Sequence, residues 1–162
     1  MDVIDKRILE ALQRNGRLRN SELARENGLA ASSMLERVRR LEERGVIKGY
    51  RAVMDGNELG FELEAMLLIN LDRHQAGPIE EFEERVRSVP EVLSCYHITG
   101  RYDYLLHLAV RDIDHLGELV KHTIGGIPGV EKQETFLTLS VIKENEGYPL
   151  SCVKETDNGA NK

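Results

Sequence analysis

The apolar residues in the first third of the chain recur at the 3.6-residue spacing of helices. One stripe runs from Ile4 to Leu12 and ends near Asn15-Gly16. A short second helix follows, capped by Asn20 or Ser21, and it stops at Asn27-Gly28, a pair suited to a tight left-handed turn. This order predicts the first two helices of a helix-turn-helix.

The third predicted helix runs from about Ala31 to Arg44. At 100° per residue its apolar members share one face: Met34, Val38 and Leu41. Its polar members gather on the opposite face: Ser33, Glu36, Arg37, Arg40 and Arg44. Gly45 closes the helix, and Val46 to Met54 reads as an extended ribbon that forms a wing beside it.

A turn signal at Asp55-Gly56-Asn57 separates this pattern from one with a period of two. Apolar residues alternate between Phe61 and Leu71, which predicts a long strand. The predicted elements that follow are a helix opening at Pro78, strands at Val92–Ile98 and Tyr104–Val110, a helix capped by Asp112, and a strand at Val130–Ile142. This βαββαβ order predicts a ferredoxin-like unit.

The predicted fold is therefore α+β, a winged helix-turn-helix followed by a ferredoxin-like domain. We expect the first domain in residues 1–53, a linker in 54–60, the second domain in 61–145 and a mobile tail in 146–162. Four strands with helices on one face leave the other face of the sheet uncovered. Its leucine-rich alternation predicts a homodimer through that face.

The net charge of −6 argues at first against nucleic acid binding. Residues 1–53, however, hold 12 Lys and Arg against 8 Asp and Glu, whereas residues 54–162 hold 10 against 20. A polyanion is therefore attracted to the first third of the chain and repelled by the rest. This asymmetry is typical of a nucleic-acid-binding module joined to another domain.

The polar face of the third helix carries the groups that double-stranded DNA requires, namely guanidinium forks and short hydroxyls. Ser32, Ser33 and Arg37 are the candidate base readers. Other cations suit phosphate contacts: Arg39, Arg40, Arg44, Lys48 and Arg51. The same pattern also fits a solvated surface with pairs such as Glu36 and Arg40. The three-helix context in a basic segment favours DNA.

Other site classes receive little support from the sequence. The longest apolar stretches, such as Ala65 to Leu71, are too short to cross a bilayer, and no basic and apolar leader opens the chain. We therefore expect a cytoplasmic protein without a membrane partner. Cys95 and Cys152 lack metal-ligand spacing. Four glutamates read as solvated surface, and no metal site or cofactor is predicted: Glu80, Glu81, Glu83 and Glu84.

Four segments of the chain resemble the leucine-responsive and asparagine-responsive (Lrp/AsnC) family of transcription regulators. They are Asp5 to Leu9, Gly28-Leu29, Leu35 to Glu42 and Gly100 to Tyr104. With the order of elements, the likeness covers residues 2 to about 145. Many family members open the recognition helix with Ser-Pro where this chain has Ala30-Ala31. That difference removes a side-chain cap worth about 1 kcal/mol.

The resemblance implies a regulator whose second, RAM-type domain forms dimers, often four in a ring as an octamer, with an amino acid bound between dimers. In the matching loop, Gly100 lets a carboxylate approach backbone N–H groups and Asp103 pairs with an ammonium. Tyr102 or Tyr104 covers the ligand side chain, which the leucine-responsive likeness suggests is apolar. Further candidates to contact the effector are Thr135 and Thr138. The loop sequence alone also fits a tight hairpin capped by its aspartate.

Two other functions stay open beside this non-enzymatic regulator. Some proteins that resemble the family decarboxylate a tetrapyrrole with histidine and arginine, and His97, His107 and Arg101 are the residues that such an enzyme needs. The histidines do not cluster in sequence with a nucleophile or a second base, which argues against it. The remaining alternative is an architectural protein that wraps DNA without an effector.

Overall fold

The computed structural model describes residues 1–72 and 78–153. These residues form two compact units. The first unit contains residues 1–53 together with 143–153, and the second contains residues 54–142. The chain therefore leaves the first unit after Val53 and returns to it at Lys143. The described part of the predicted mobile tail, residues 146–153, thus packs as part of the first unit.

Three helices build the first unit: α1 (Val3–Arg14), α2 (Asn20–Glu26) and α3 (Ala31–Glu43). Asp2 caps α1, because its carboxylate accepts the backbone N–H of Asp5 at 2.8 Å. The cap predicted for α2 at Asn20 or Ser21 is wrong. Arg19 holds the cap position, and the side chain of Glu22 accepts its backbone N–H at 3.1 Å.

The core of the first unit lies where the apolar faces of the three helices meet. It includes the predicted apolar face of α3 and one leucine from near the C-terminus. The buried members are Ile8, Leu9, Ala11, Leu23, Ala24, Met34, Val38, Leu41 and Leu150. Burial of each large aliphatic side chain contributes about 1.5–3 kcal/mol.

The segment after α3 differs from the regular ribbon that the sequence suggests. Val46 and Ile47 both donate backbone N–H groups to the carbonyl of Leu41, at 2.9 and 3.2 Å. From there to Met54 the backbone has no regular secondary structure. The wing position is therefore held by bonds to the end of α3 rather than by a strand within the described residues of this unit.

The second unit follows the predicted βαββαβ order, which confirms the fold class. Its second helix continues as one π-helical segment over Leu119–Ile124. The elements are β1 (Leu63–Leu71), α4 (Pro78–Arg87), β2 (Val92–His97), β3 (Tyr104–Val110), α5 (Ile113–Glu118) and β4 (Val130–Leu137).

The four strands form one antiparallel sheet in the order β2-β3-β1-β4. β1 lies in the middle and pairs Leu67 with Leu106 on one side and with Thr135 on the other. Alternate residues of β1 and β3 are buried on the face that packs against the helices, together with Phe82 of α4 and Leu116 of α5. This face holds the core of the unit.

The opposite face of the sheet carries an apolar patch, which we call the open face. Its members alternate with the core residues and lie on all four strands. Tyr96 and Phe136 at the edges are each about half exposed. The open face consists of Met66, Leu68, Tyr96, Leu105 and Phe136.

β4 ends at Leu137, so the predicted extension of this strand to Ile142 is wrong. The reason lies in its neighbour, because β1 begins only at Leu63. The backbone N–H of Thr138 donates to the carbonyl of Glu64, and beyond Glu64 only Leu63 remains in β1. Leu139 is 96% exposed and Ile142 is 92% exposed.

Candidate DNA interface and effector site

α3 exposes a row of hydroxyl and guanidinium groups on the side away from its core. Ser32 and Ser33 lie exposed in its first turn, where Ala30 at the cap position offers no side-chain hydrogen bond. The other exposed cations follow along the helix and into the next segment. They are Arg39, Arg40, Arg44, Lys48 and Arg51.

Arg37 lies elsewhere than its position on the helical wheel suggests. Its Nη1 atom donates to Asp2 at 2.6 Å and to Asp5 at 2.8 Å, and its side chain is only 26% exposed. The carboxylate of Asp5 is buried, with a side chain 3% exposed. The expectation that Arg37 projects from the polar face of α3 is therefore corrected, because this side chain ties α3 to α1.

Two neighbouring arginines have weaker ties. Arg40 Nη2 lies 3.5 Å from Asp5 Oδ1, and the Arg40 side chain is about half exposed. Arg39 pairs with Glu43 one turn later at 2.8 Å. The exposed pair of Arg39 and Glu43 contributes less than about 1 kcal/mol, whereas the partner of Arg40 is the buried carboxylate of Asp5.

Of the two carboxylates that bind Arg37, Asp2 has a pKa below its ordinary value. Burial acts to raise the pKa of Asp2, but hydrogen bonds from the Asp5 backbone and from Arg37 outweigh it and lower that pKa below its ordinary value. Tyr50, after α3, donates its hydroxyl to Glu42 at 3.0 Å. Burial and this carboxylate raise the pKa of Tyr50 to about 12.

In the second unit, the Gly100–Tyr104 loop between β2 and β3 is anchored to the end of β1. The Leu71 backbone N–H donates to Asp103 Oδ2 at 3.0 Å, and the Asp103 backbone N–H donates to the Ile69 carbonyl at 2.9 Å. Gly100 has a φ of 130°, a value that side-chain-bearing residues rarely adopt. The aspartate is thus oriented by a backbone bond at the strand end.

The two loop tyrosines lie on opposite sides of the sheet. Tyr102 is buried and donates its hydroxyl to Glu134 on the side of the open face, with the cations of Arg101 and Lys132 near its ring. Tyr104 lies on the helix side and donates to Glu83 at 3.0 Å. Burial, this hydrogen bond and the charge of Glu83 raise the pKa of Tyr104.

The two candidate threonines lie in β4 and directly after it. Thr135 pairs with Leu67 across β1 and β4, so its side chain is on the helix side, at the edge of the sheet. Thr138 follows the end of β4. Within one chain, Tyr104 and Thr135 therefore lie on the side of the sheet opposite Tyr102.

The residues needed for the enzyme alternative are also separated. The ring of His97 stacks on Tyr104 on the helix side, with centroids 4.8 Å apart. His107 Nε2 lies 2.8 Å from Glu64 Oε2 on the opposite side. Because these rings face opposite ways, they do not form a common site with Arg101. Over the described residues, no three His, Cys, Asp or Glu side chains form a metal-binding group.

Sequence reasoning missed the carboxylates that position these groups. Asp2 and Asp5 form a capping box, and that spacing was visible in the sequence, but its long-range partner Arg37 was not. Glu134 and Glu83 anchor the two tyrosines from distant elements, and no local pattern indicates either pairing.

Each of the two units matches a family of known proteins. Residues 1–48 match the winged helix-turn-helix DNA-binding family, and residues 64–148 match the Lrp/AsnC ligand binding domain. The leucine-responsive regulatory protein of Haemophilus influenzae is 36% identical over 144 residues, which are 89% of this chain and 87% of that relative. The chain belongs to the Lrp/AsnC family.

Solved structures of Lrp/AsnC regulators have the same fold. A transcriptional regulator from Neisseria meningitidis, in complex with L-Met, superposes with a TM-score of 0.89 at 33% identity and covers 93% of this chain and 97% of its own. AsnC of E. coli gives a TM-score of 0.81 at 27% identity, covering 91% of this chain and 99% of its own.

The family establishes the general activity. The protein is a DNA-binding transcriptional regulator with a ligand-binding domain, and the relatives are regulators rather than enzymes. In the part of the chain that the structure describes, each helix falls short of the length and apolar character needed to span a bilayer.

Proposed function

We propose that this protein is a sequence-specific regulator that binds operator DNA through the exposed face of α3 and responds to an amino acid. The observation that carries the proposal is the division of α3 into a buried apolar face and an exposed face of hydroxyls and guanidinium groups. A helix of this kind fits the major groove.

Ser32 and Ser33 stand in the first turn of α3 and read base edges. The exposed cations at and beyond the end of the helix contact phosphates, where charge matters and sequence does not: Arg39, Arg40, Arg44, Lys48 and Arg51. The ion pairs of Arg37 with α1 support a different role for this residue. It sets the angle of α3 and contacts bases only if those pairs break.

The second unit binds the effector through the Gly100–Tyr104 loop. A carboxylate accepts up to four hydrogen bonds, so Asp103 can hold the Leu71 N–H and a ligand ammonium together. The Neisseria regulator, whose structure contains L-Met, supports an apolar amino acid. Tyr104 and Thr135 lie on the helix side of the sheet, opposite Tyr102, and cannot line the same pocket within one chain. The pocket therefore takes the groups that cover the rest of the ligand from a neighbouring copy.

Assembly links the two activities. The open face, with Leu68 and Leu105 at its centre, pairs with the same face of a second copy. The dimer presents two copies of α3 about 34 Å apart to successive major grooves. An amino acid bound between dimers, in an assembly as large as an octamer, changes how many of these helices engage DNA together.

Two measurements test the proposal. Duplexes selected from a random pool by the purified protein define the operator, and calorimetric titration with each of the twenty amino acids defines the effector. We expect one apolar amino acid to bind and to change both sedimentation and operator affinity. Binding of none, with random and selected duplexes bound equally, would instead establish an architectural DNA-wrapping protein.

A matched pair of variants tests the effector loop. Asp103→Asn keeps an acceptor for the Leu71 N–H but loses the charge, so we expect amino-acid affinity to fall at least about tenfold. Tyr104→Phe, on the helix side, keeps the ring and should bind the amino acid normally. Equal affinity of Asp103→Asn and the unmodified protein would remove this aspartate from the site.

A further inference from the structure

The last described residues of the chain, Gly147–Val153, pack against the first unit and form what we call the C-terminal strap. A short 3-10 helix at Leu150–Cys152 buries Leu150 in the core that also holds Ile8 and Leu9 of α1. The matches to the two families end at residues 48 and 148, so residues 149–153 lie outside both.

The strap is held by side chains of α1 that bind its backbone. Gln13 forms two hydrogen bonds with Tyr148: its Nε2 donates to the carbonyl at 3.1 Å, and its Oε1 accepts the backbone N–H at 2.7 Å. Lys6 Nζ donates to the carbonyl of Val153 at 2.6 Å. Both ends of the strap are therefore fixed to α1 by hydrogen bonds to the strap's backbone, which do not depend on the strap's side chains.

The backbone at Gly147 fits this arrangement closely. Its φ is 109°, and a Cβ at this position would overlap with Gln13 Oε1. Any side chain here would be strained and would collide with the amide that binds Tyr148. The glycine is required by the same contact that holds the strap.

Two routes connect the strap to the DNA-binding surface. α1 carries Asp2 and Asp5, which fix Arg37 of α3. In addition, the strap and α1 form two walls of an apolar cleft of about 550 Å³, and its third wall is the segment from Val46 to Tyr50. That segment carries Lys48 and is joined to α3 through Tyr50 and Glu42.

We propose that the C-terminal strap is a working part of the DNA-binding unit, with Gln13 as the positioning residue that couples it to α3. The inference rests on the proposed DNA binding by α3. In the sequence, the second unit is inserted between two parts of one DNA-binding unit. The residues after the second unit therefore help to hold α3 in position.

Two stop variants of the full chain test the proposal directly. Ending the chain after Glu146 removes the strap, whereas ending it after Val153 keeps the strap and is the matched control. We expect the first to raise the Kd for a selected duplex at least about tenfold, equivalent to about 1.4 kcal/mol, with sedimentation of the dimer unchanged. The second should bind DNA like the full chain.

Point variants of the full chain test the same coupling even if the shorter chain fails to fold. Gln13→Ala should weaken DNA binding about fivefold in the full chain but have no effect in the chain ending after Glu146, because one shared contact is lost only once. Leu150→Ala should also weaken DNA binding, whereas Ser151→Ala, at an exposed neighbour, should not.

The outcomes separate this inference from the proposed function. Failure of the unmodified protein to bind any duplex would overturn both. Normal DNA binding by the chain ending after Glu146, or additive effects of Gln13→Ala and the truncation, would overturn the strap alone. Loss of the dimer together with DNA binding in the short chain would also overturn it, because the strap would then act on the second unit.

Discussion

The Nη1 atom of Arg37 in α3 lies 2.8 Å from Oδ1 of Asp5, a carboxylate buried in α1. A buried carboxylate requires a charged partner, so this contact fixes the recognition helix against the rest of the first unit. Under the proposed function, Arg37 acts on DNA through the position of α3, so its removal should have different consequences from the loss of a base contact.

Arg37→Ala should lower the free energy of unfolding of the first unit by about 2 kcal/mol, because charged hydrogen bonds to Asp2 and Asp5 are lost while the side chain is only partly exposed. Chemical denaturation measures this. Arg37→Lys, which retains the charge, should recover part of the loss. Affinity for selected and random duplexes should fall together. Unchanged stability with a loss of discrimination alone would assign Arg37 to the bases.

The sequence indicates much of the fold because its periodicities are local. The alternation predicted from Phe61 to Leu71 and the stripe of Met34, Val38 and Leu41 place most of the correct residues in the two cores, although Phe61 itself is exposed. The same method places Arg37 among the exposed residues, because its partner Asp5 is 32 positions away. A helical wheel represents one helix and carries no information about the next.

The end of β4 and the position of residues 147–153 have the same explanation. Alternation continues through Leu139 and Val141, but β1, the strand that pairs with β4, has only Leu63 beyond Glu64 and therefore offers at most one further partner. Polar composition suggested a mobile tail, yet a single leucine, Leu150, and the backbone bonds to Gln13 hold that segment. Both features depend on tertiary contacts.

Acid should loosen the contact between α1 and α3. The pKa of Asp2 is lower in the folded protein than its ordinary value of 3.8, so its contribution to stability is present above pH 3.8 and is lost as the pH falls through the folded pKa. NMR titration of the Asp2 carboxyl measures this pKa. Arg37→Ala should raise it toward 3.8, and an unchanged value in that variant would contradict the assigned contact.

Arg44→Ala should weaken binding to every duplex by a similar factor, because an exposed cation at the end of α3 contacts phosphate. The slope of log affinity against log salt concentration should become smaller by about 1. Fluorescence anisotropy at several salt concentrations measures both quantities. Arg85→Ala, an exposed arginine of the second unit, is the control and should leave the slope unchanged. A steep unchanged slope in Arg44→Ala would exclude the phosphate contact.

Leu68→Asp should convert the proposed dimer to a monomer. Leu68 lies opposite Leu105 at the centre of the open face, and a charge there would be buried against the second copy. Glu84→Lys, on the exposed side of α4, changes the charge away from that face and should leave the dimer intact. Sedimentation velocity distinguishes the species. A dimeric Leu68→Asp protein would place the interface elsewhere.

The most direct test of sequence reading by α3 is the ratio of affinities for selected and random duplexes, measured at one salt concentration. For the unmodified protein we expect a ratio of about 10³ or more. The double variant Ser32→Ala, Ser33→Ala should reduce this ratio at least about tenfold and leave random-duplex affinity unchanged. An unchanged ratio, or an equal loss of affinity for both duplexes, would contradict the account.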